Sequence, residues 1–547
     1  MNPAKSLIAA TFVLTPAACS QPVAAPPTAE TDLPVCTMAQ SLTHVPGRKD
    51  IEANRLEPLP VVRLPFGTQK DMWGFDVRLR VDQHGVPTCY VPKDEFDRPM
   101  QVDPSTRTLL AALRYRPFLR DGAPVVAIVS ESVREEEITG AHIPTPQVPL
   151  EQVRIRLDRS GCYGWCPVYS VEVRGDGTVT YNGQRYVNVE GTHTYRIPPG
   201  DVARLVESLR ARDLWSLRPS YRAPITDNPT YTLTLDLGGQ VKEIEDYVGR
   251  MVGMPVLVTE FEDEVDRVAR SDTWVRLSQE AVTRLEAEDF DFTSAEGGRL
   301  LARAVAGKSR DDAAIARLIE LGAPLRAEPG SDKSRFEPVP EPILEAALSE
   351  QRTALIEPLL AKRVLLTNGQ IDQAKLDAAF RAAIAGGRME GVQRMWEAGG
   401  DLHPSLTFEQ AAEDGKTRKT IPVTLLLSHP SYEETPWDGL EIAKWLVAKG
   451  CDLKARDANG GTLLHIAADA EDATLVRYLL DQGLDPSTPG RYDLPALGSV
   501  SSEDIALMLL EAGSTTRKLD NFPSYARERG WPRVVEWLEA HGRRKAR

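Results

Sequence analysis

Beyond Ser20 this 547-residue chain has no apolar run long enough to cross a membrane as a helix. It also lacks the positive charge that a nucleic-acid surface needs. Its 79 acidic against 65 basic side chains leave a formal net charge of −14, which excludes nonspecific nucleic-acid binding. No Gly-x-Ser-x-Gly elbow and no His-Glu-x-x-His helix occurs, and the eight histidines are scattered. Gly307-Lys308-Ser309 ends like a phosphate loop, but Ala302 stands where the leading glycine belongs and no strand runs into it. It reads as a solvated helix–helix turn. The acidic runs Glu135-Glu136-Glu137 and Glu260 to Glu264 read as exposed faces. No cofactor, metal or catalytic residue is expected.

Cysteine is scarce: Cys19, Cys36, Cys89, Cys162, Cys166 and Cys451 make six. The first follows Lys5, the apolar run Leu7 to Leu14, and Pro16-Ala17-Ala18. That run is too short to span a bilayer and reads as an export signal. Cys19 after two small residues resembles the lipobox of bacterial lipoproteins, with Pro16 departing from the leucine that pattern prefers. The resemblance implies a signal peptide over 1–19, lipidation of Cys19 and a membrane attachment by that lipid. Ser20, rather than Asp, then implies the outer membrane. The expected address is the periplasmic face of the bacterial cell envelope, with a soluble periplasmic protein as the alternative. Residues 20–59 read as a Pro/Ala-rich tether and linker.

Export permits disulfides. Cys162 and Cys166, three residues apart by their spacer, are expected to pair, a ring worth about 2 kcal/mol before strain. Cys36–Cys89 is the second expected pair, on the sole ground that both lie in the first exported module. Cys451 is left free. A redox motif has a two-residue spacer at a helix N-terminus, whereas Pro167 to Val171 reads as strand. A zinc site needs more ligands than the pair and nearby His193 supply.

Phe75 to Asp82 alternates apolar and charged residues as a strand does. A turn at Gln83-His84-Gly85-Val86, a strand through Cys89 and Val91, a helix over Thr106 to Leu113 and a strand over Val126 to Val133 follow. Between the last two lies Tyr115-Arg116-Pro117-Phe118, then Asp121-Gly122. This order resembles the TonB C-terminal domain over residues 60–137, which implies a small α/β fold that contacts periplasmic partners. TonB itself needs a transmembrane anchor and a long Pro-rich spanning segment, so a borrowed binding module is the reading. Past the connector Ile143 to Pro149, residues 150–275 read as a second module. There Cys162-Tyr163-Gly164-Trp165-Cys166-Pro167-Val168-Tyr169 precedes a hairpin signal at Gly175-Asp176-Gly177. A helix over Asp201 to Arg212, strands over Tyr231 to Leu237 and Val241 to Tyr247, and a helix over Val256 to Arg270 complete it. The string and hairpin together resemble an uncharacterised bacterial exported domain family without established activity.

The most informative stretch lies later. Gly461-Thr462-Leu463-Leu464-His465-Ile466-Ala467-Ala468 opens a capped helix, and Leu475 to Gly483 forms an amphipathic second helix with a glycine stop. This resembles an ankyrin repeat. Thr462 is the expected N-cap, His465 a structural hydrogen-bonding residue, and Gly450 and Gly483 the left-handed stops. Those two glycines lie 33 residues apart, the ankyrin period. Similar endings at Gly322, Gly399, Gly513 and Gly542 extend the array over 276–547, with an insertion near His429 to Tyr432. The basic end Arg543 to Arg547 reads as a solvated cap.

The expected fold class is multidomain: two small α/β (α+β) domains followed by an all-α ankyrin-repeat solenoid. The expected function is a noncatalytic cell-envelope lipoprotein that binds unknown protein partners through its ankyrin surface, with no nucleic acid. The alternative is an enzyme or metal/redox protein centred on the Cys162/Cys166 domain.

Overall fold

The computed structural model describes residues 33–36, 46–68, 70, 73–91, 101–120, 122–307, 311–326, 342–400, 408–411, 417–420, 437–456, 460–519 and 521–542. Cys19 with its signal, Lys308-Ser309, His429 to Tyr432 and Arg543 to Arg547 lie outside the described residues.

The first module contains α1 (Arg48–Asn54), β1 (Val61–Leu64), β2 (Gly74–Val81), β3 (Pro87–Val91) and α2 (Pro104–Ala111). The short pair β4 (Leu119–Arg120) and β5 (Ala123–Pro124) then leads to β6 (Ala127–Glu137). The strand order is β1-β6-β2-β3, with β1 parallel to β6 and β2 antiparallel to both its neighbours. Alternation along β2 sends Val77, Leu79 and Val81 into a core with Leu110 of α2. Asp103 caps α2 by accepting from the Thr106 N–H at 3.0 Å. Leu33 and Ile51 share this core, so residues 20–59 are not linker throughout. One isolated leucine and a helix of two turns carry too little periodicity to be read as packed.

A second correction concerns Glu135, Glu136 and Glu137, expected on an exposed face. All three are buried. Lys70 pairs with Glu135, Arg63 with Glu136 at 3.0 Å, and Arg218 with Glu137. The β6 strand outruns its apolar stretch and enters the junction with the second module, where distant cations meet it.

The second module is a sheet in the order β10-β9-β8-β7-β12-β13-β11. Its strands are β7 (Val153–Arg159), β8 (Val168–Arg174), β9 (Thr178–Arg185), β10 (Gly191–Arg196), β11 (Ser220–Arg222), β12 (Tyr231–Leu237) and β13 (Gln240–Tyr247). Pairing is antiparallel except between β11 and β13. Helix α3 (Pro199–Ala211) lies between β10 and β11 in sequence, and α4 (Val256–Ala269) follows β13. Val258, Phe261, Glu262, Val265, Val268 and Ala269 recur at helical spacing and form the buried stripe of α4. Five of the six are apolar, and Glu262 is the exception.

The short helix α5 (Asp272–Val275) and α6 (Gln279–Ala287) join this module to stacked helices: α7 (Ala295–Ala306) with α8 (Asp312–Glu320), and α9 (Ile343–Ser349) with α10 (Ile356–Ala361). A hairpin of β14 (Leu366–Thr367) and β15 (Gln370–Ile371) precedes α11 (Gln373–Gly386) and α12 (Met389–Glu397). After the pair β16 (Phe408–Ala411) and β17 (Thr417–Thr420) come α13 (Gly439–Ala448), α14 (Leu463–Asp469), α15 (Ala473–Asp481), α16 (Glu503–Glu511), α17 (Phe522–Glu528) and α18 (Pro532–Gly542). One apolar core runs without a break from Val153 in the sheet to Val534 in the last helix. A sheet-rich N-terminal region is thus followed by a helical repeat region.

Candidate functional sites

In the clearest repeat, Thr462 stands at the N-cap of α14, in a capping box with His465. The Thr462 N–H donates to His465 Nδ1 at 3.2 Å, and His465 Nε2 lies 3.1 Å from the Leu494 carbonyl. A backbone N–H only donates, so Nδ1 accepts and Nε2 carries the proton that Leu494 receives. His465 therefore ties one repeat to the next and is fully engaged in structure. Gly450 and Gly483 follow α13 and α15 with φ of +91° and +79°, left-handed conformations that a side chain would strain. Leu464, Ala467, Leu475 and Leu479 are buried, whereas the adjoining Leu480 is only half-buried. Among the described residues Cys451 has no disulfide partner, and burial pushes its thiol up, away from the reactive thiolate.

The second helices of the repeats carry an aromatic cluster that periodicity did not single out. Trp396 of α12 and Trp445 of α13 meet edge to face at 5.2 Å, and Phe380 lies 6.3 Å from each. Lys449 Nζ sits 4.2 Å from the Trp396 ring centre. Both indoles are half-buried, leaving an apolar rim beside a cation. Because these residues lie on different helices, no local pattern in the chain joins them.

Cys162 and Cys166 lie at bonding distance, with Cα atoms 5.6 Å apart, in the loop joining β7 to β8. The loop holds Tyr163, 79% exposed, and Trp165, 58% exposed. Trp165 packs edge-on against Tyr186 at 5.4 Å. A ring closed at its base presents such aromatics with little conformational freedom left to lose on binding. Cys36 and Cys89 are likewise at bonding distance, with Cα atoms 5.0 Å apart. His193 does not join Cys162 and Cys166. It bonds Glu288 at 2.8 Å and stacks on Trp274 at 4.5 Å.

Beneath the sheet-facing side of α4 lies a charged network. Arg159 pairs with Asp266 at 2.6 Å and covers the Tyr231 ring, and the Tyr169 hydroxyl donates to Asp266 at 2.9 Å. Burial, then the Asp266 charge, raises the Tyr169 hydroxyl far above its ordinary value. Glu262, placed by sequence on an exposed face, is 1% exposed, and among the described residues neither carboxyl oxygen has a hydrogen-bond partner. That correction has a geometric cause: Glu262 falls on the apolar stripe of α4, one residue from Phe261. Burial, then the Asp246 charge, pushes its carboxyl up to about 8. Among the described residues no three His, Cys, Asp or Glu side chains group as a metal site.

Comparison with known proteins places names on two of these regions. Residues 153–269 match the profile of a domain of unknown function (DUF6438), and residues 437–520 match that of ankyrin repeats in three copies. Protein phosphatase 1 regulatory subunit 27 of Homo sapiens is 37% identical over 95 residues, which is 16% of this chain and 60% of that protein. The chain thus spans about three fifths of the length of this curated relative. Among solved structures, the ankyrin repeat domain of Bcl-3, a member of the IκB family, is similar at 19% identity. That alignment covers 43% of this chain and 91% of the other, with a TM-score of 0.24. The human ASB11 ankyrin repeat domain is similar at 16% identity over 43% of this chain and 94% of the other, with a TM-score of 0.28. The chain therefore carries a DUF6438 domain and, toward its C-terminus, ankyrin repeats.

Proposed function

We propose that this chain is a noncatalytic adaptor of the bacterial cell envelope, anchored through lipid on Cys19 at the periplasmic face of the outer membrane, that binds protein partners through its ankyrin repeats. The observation that carries the adaptor reading is the run of stacked helix pairs, whose half-exposed Trp396 and Trp445 and exposed Lys449 offer aromatic and cationic contacts. Tryptophan is enriched where interfaces draw their affinity. The likeness to a phosphatase regulatory subunit supports binding rather than chemistry. The address rests on the Lys5 to Cys19 signal. The first module, with its four-stranded sheet and α2, is read as a TonB C-terminal-like binding module.

Two experiments test the two halves of this reading. In a Gram-negative host, wild type should incorporate labelled fatty acid and sediment with membranes, while Cys19→Ala turns soluble or stalls in processing. Recovery of wild type solely as unlabelled soluble protein overturns the anchor. For the adaptor, crosslinking in the envelope should yield a defined partner that Trp396→Ser with Lys449→Glu loses. A reversible Cys162/Cys166 dithiol with turnover of a small substrate would instead favour the redox alternative.

A further inference from the structure

The orphaned carboxyl of Glu262 sits where three parts of the molecule meet. From β7, Arg159 faces it but is already paired with Asp266. From β8, Tyr169 also gives its hydroxyl to Asp266. From the end of β13, Asp246 brings a second buried carboxyl, its Oδ1 accepting the Gly249 N–H at 2.6 Å, with Arg250 acting on Asp246 from the following turn. On α4 itself Asp263 and Asp266 add charge of the same sign. Arg212, the residue that caps the C-terminus of α3, is paired with Glu264 at 3.2 Å and does not serve Glu262. An unpartnered buried carboxylate is strongly disfavoured, so this acid is held in its protonated form.

Helix α4 is also the strut between modules. Its first turn is capped from the first module, the Val256 N–H donating to Glu136 Oε2 at 3.1 Å. Just before it, the Glu137 N–H donates to the Gly253 carbonyl at 2.9 Å, and the Trp73 N–H to the Met251 carbonyl at 3.1 Å. The Trp73 ring lies so close on Gly253 that a Cβ there would come within 2.5 Å of it. At the far end the Ala269 carbonyl accepts the Tyr195 hydroxyl, and the Trp274 N–H donates to the Ser271 carbonyl at 3.0 Å.

We propose that Glu262 makes α4 a proton-gated strut: protonated, it keeps the helix seated and the first module docked, and ionised, it lifts the helix from the sheet and loosens that docking. The sign follows from proton binding. Across the window from the ordinary carboxyl range up to about 8, the native chain holds a proton that the unfolded chain has released. Stability contributed by this group is therefore full below the window, falls as pH rises through it, and levels off above it.

Hydrogen exchange of the full chain in steps from about pH 6 to about pH 9, corrected for intrinsic rates, tests this. In wild type, protection of the α4 amides and of the Trp73 junction should fall roughly tenfold or more relative to β7 and β8 across the window. Glu262→Gln should hold its protection at both pH values; if that variant does not fold, Glu262→Met supplies the same uncharged volume. Asp246→Asn, which removes the neighbouring charge, should move the midpoint of the fall to lower pH. A flat wild-type profile, an unchanged fall in the Glu262 variant, or a midpoint indifferent to Asp246→Asn would each overturn the proposal.

Discussion

Leu479 and His465 show the two ways a single residue holds a repeat together. Leu479 is fully buried in the long apolar core. Truncating it to alanine removes packing and leaves a cavity, at a cost of about 2–5 kcal/mol. A denaturant titration of the full chain should show that loss in the transition of the repeats, and a neutral Leu479→Ala would invalidate the register given for this repeat. His465 acts by hydrogen bonds instead, accepting from Thr462 and donating to Leu494. His465→Ala leaves a capping N–H and a carbonyl without their partner, a loss of about 1–3 kcal/mol. Replacement by asparagine should restore less than half of it, because the shorter side chain cannot reach both groups.

Among the elements, the Cys162–Cys166 loop and α4 are the most exposed to test. Replacing both cysteines by serine should cost the module on the order of 2 kcal/mol through regained loop freedom. Peptide mapping of exported, nonreduced protein should recover the loop as one linked fragment, and free thiols at both positions would refute the pairing. If Tyr163 and Trp165 are contact residues, their paired change to serine should weaken partner capture while leaving thermal stability near wild type, since both are exposed. For α4, Glu136→Gln removes a charged cap on the Val256 N–H. The expected loss is about 0.5–2 kcal/mol, read as earlier release of the first module in limited proteolysis.

At the scale of the whole molecule, one core joins the sheet to the repeats. Leu277, Ala281, Val282 and Leu285 belong to the same cluster as Trp274 and Tyr195, so a boundary at residue 276 cuts through packed side chains. A chain ending at Arg276 should therefore unfold its sheet module at lower denaturant than the full chain does. Equal midpoints would mean that the shared core contributes nothing to the sheet. Within the repeats, stability should remain close to a sum of local and neighbour terms. Arg352 illustrates such a neighbour term, donating to the Val305 and Gly307 carbonyls at 2.7 Å each and to Asp312 at 2.9 Å.

What the sequence determined by itself were the features written in neighbouring residues. The alternation of β2, the hairpin at Gly175 to Gly177, the existence of helix α4 and the glycine stops of the repeats all involve positions within a few residues of one another, where backbone geometry is decided locally. The cap at Thr462 belongs with them. Only the tertiary structure decided the rest. Glu136 meets Val256 across 120 residues, Arg218 meets Glu137 across 81, and Trp396 meets Trp445 across a long insertion. A carboxylate reads as surface in any local window, because its charge demands water unless a distant cation or a buried proton replaces it. For Glu135 to Glu137 the fold brings the cations, and for Glu262 it brings burial and the neighbouring Asp246 charge, which together favour the protonated acid.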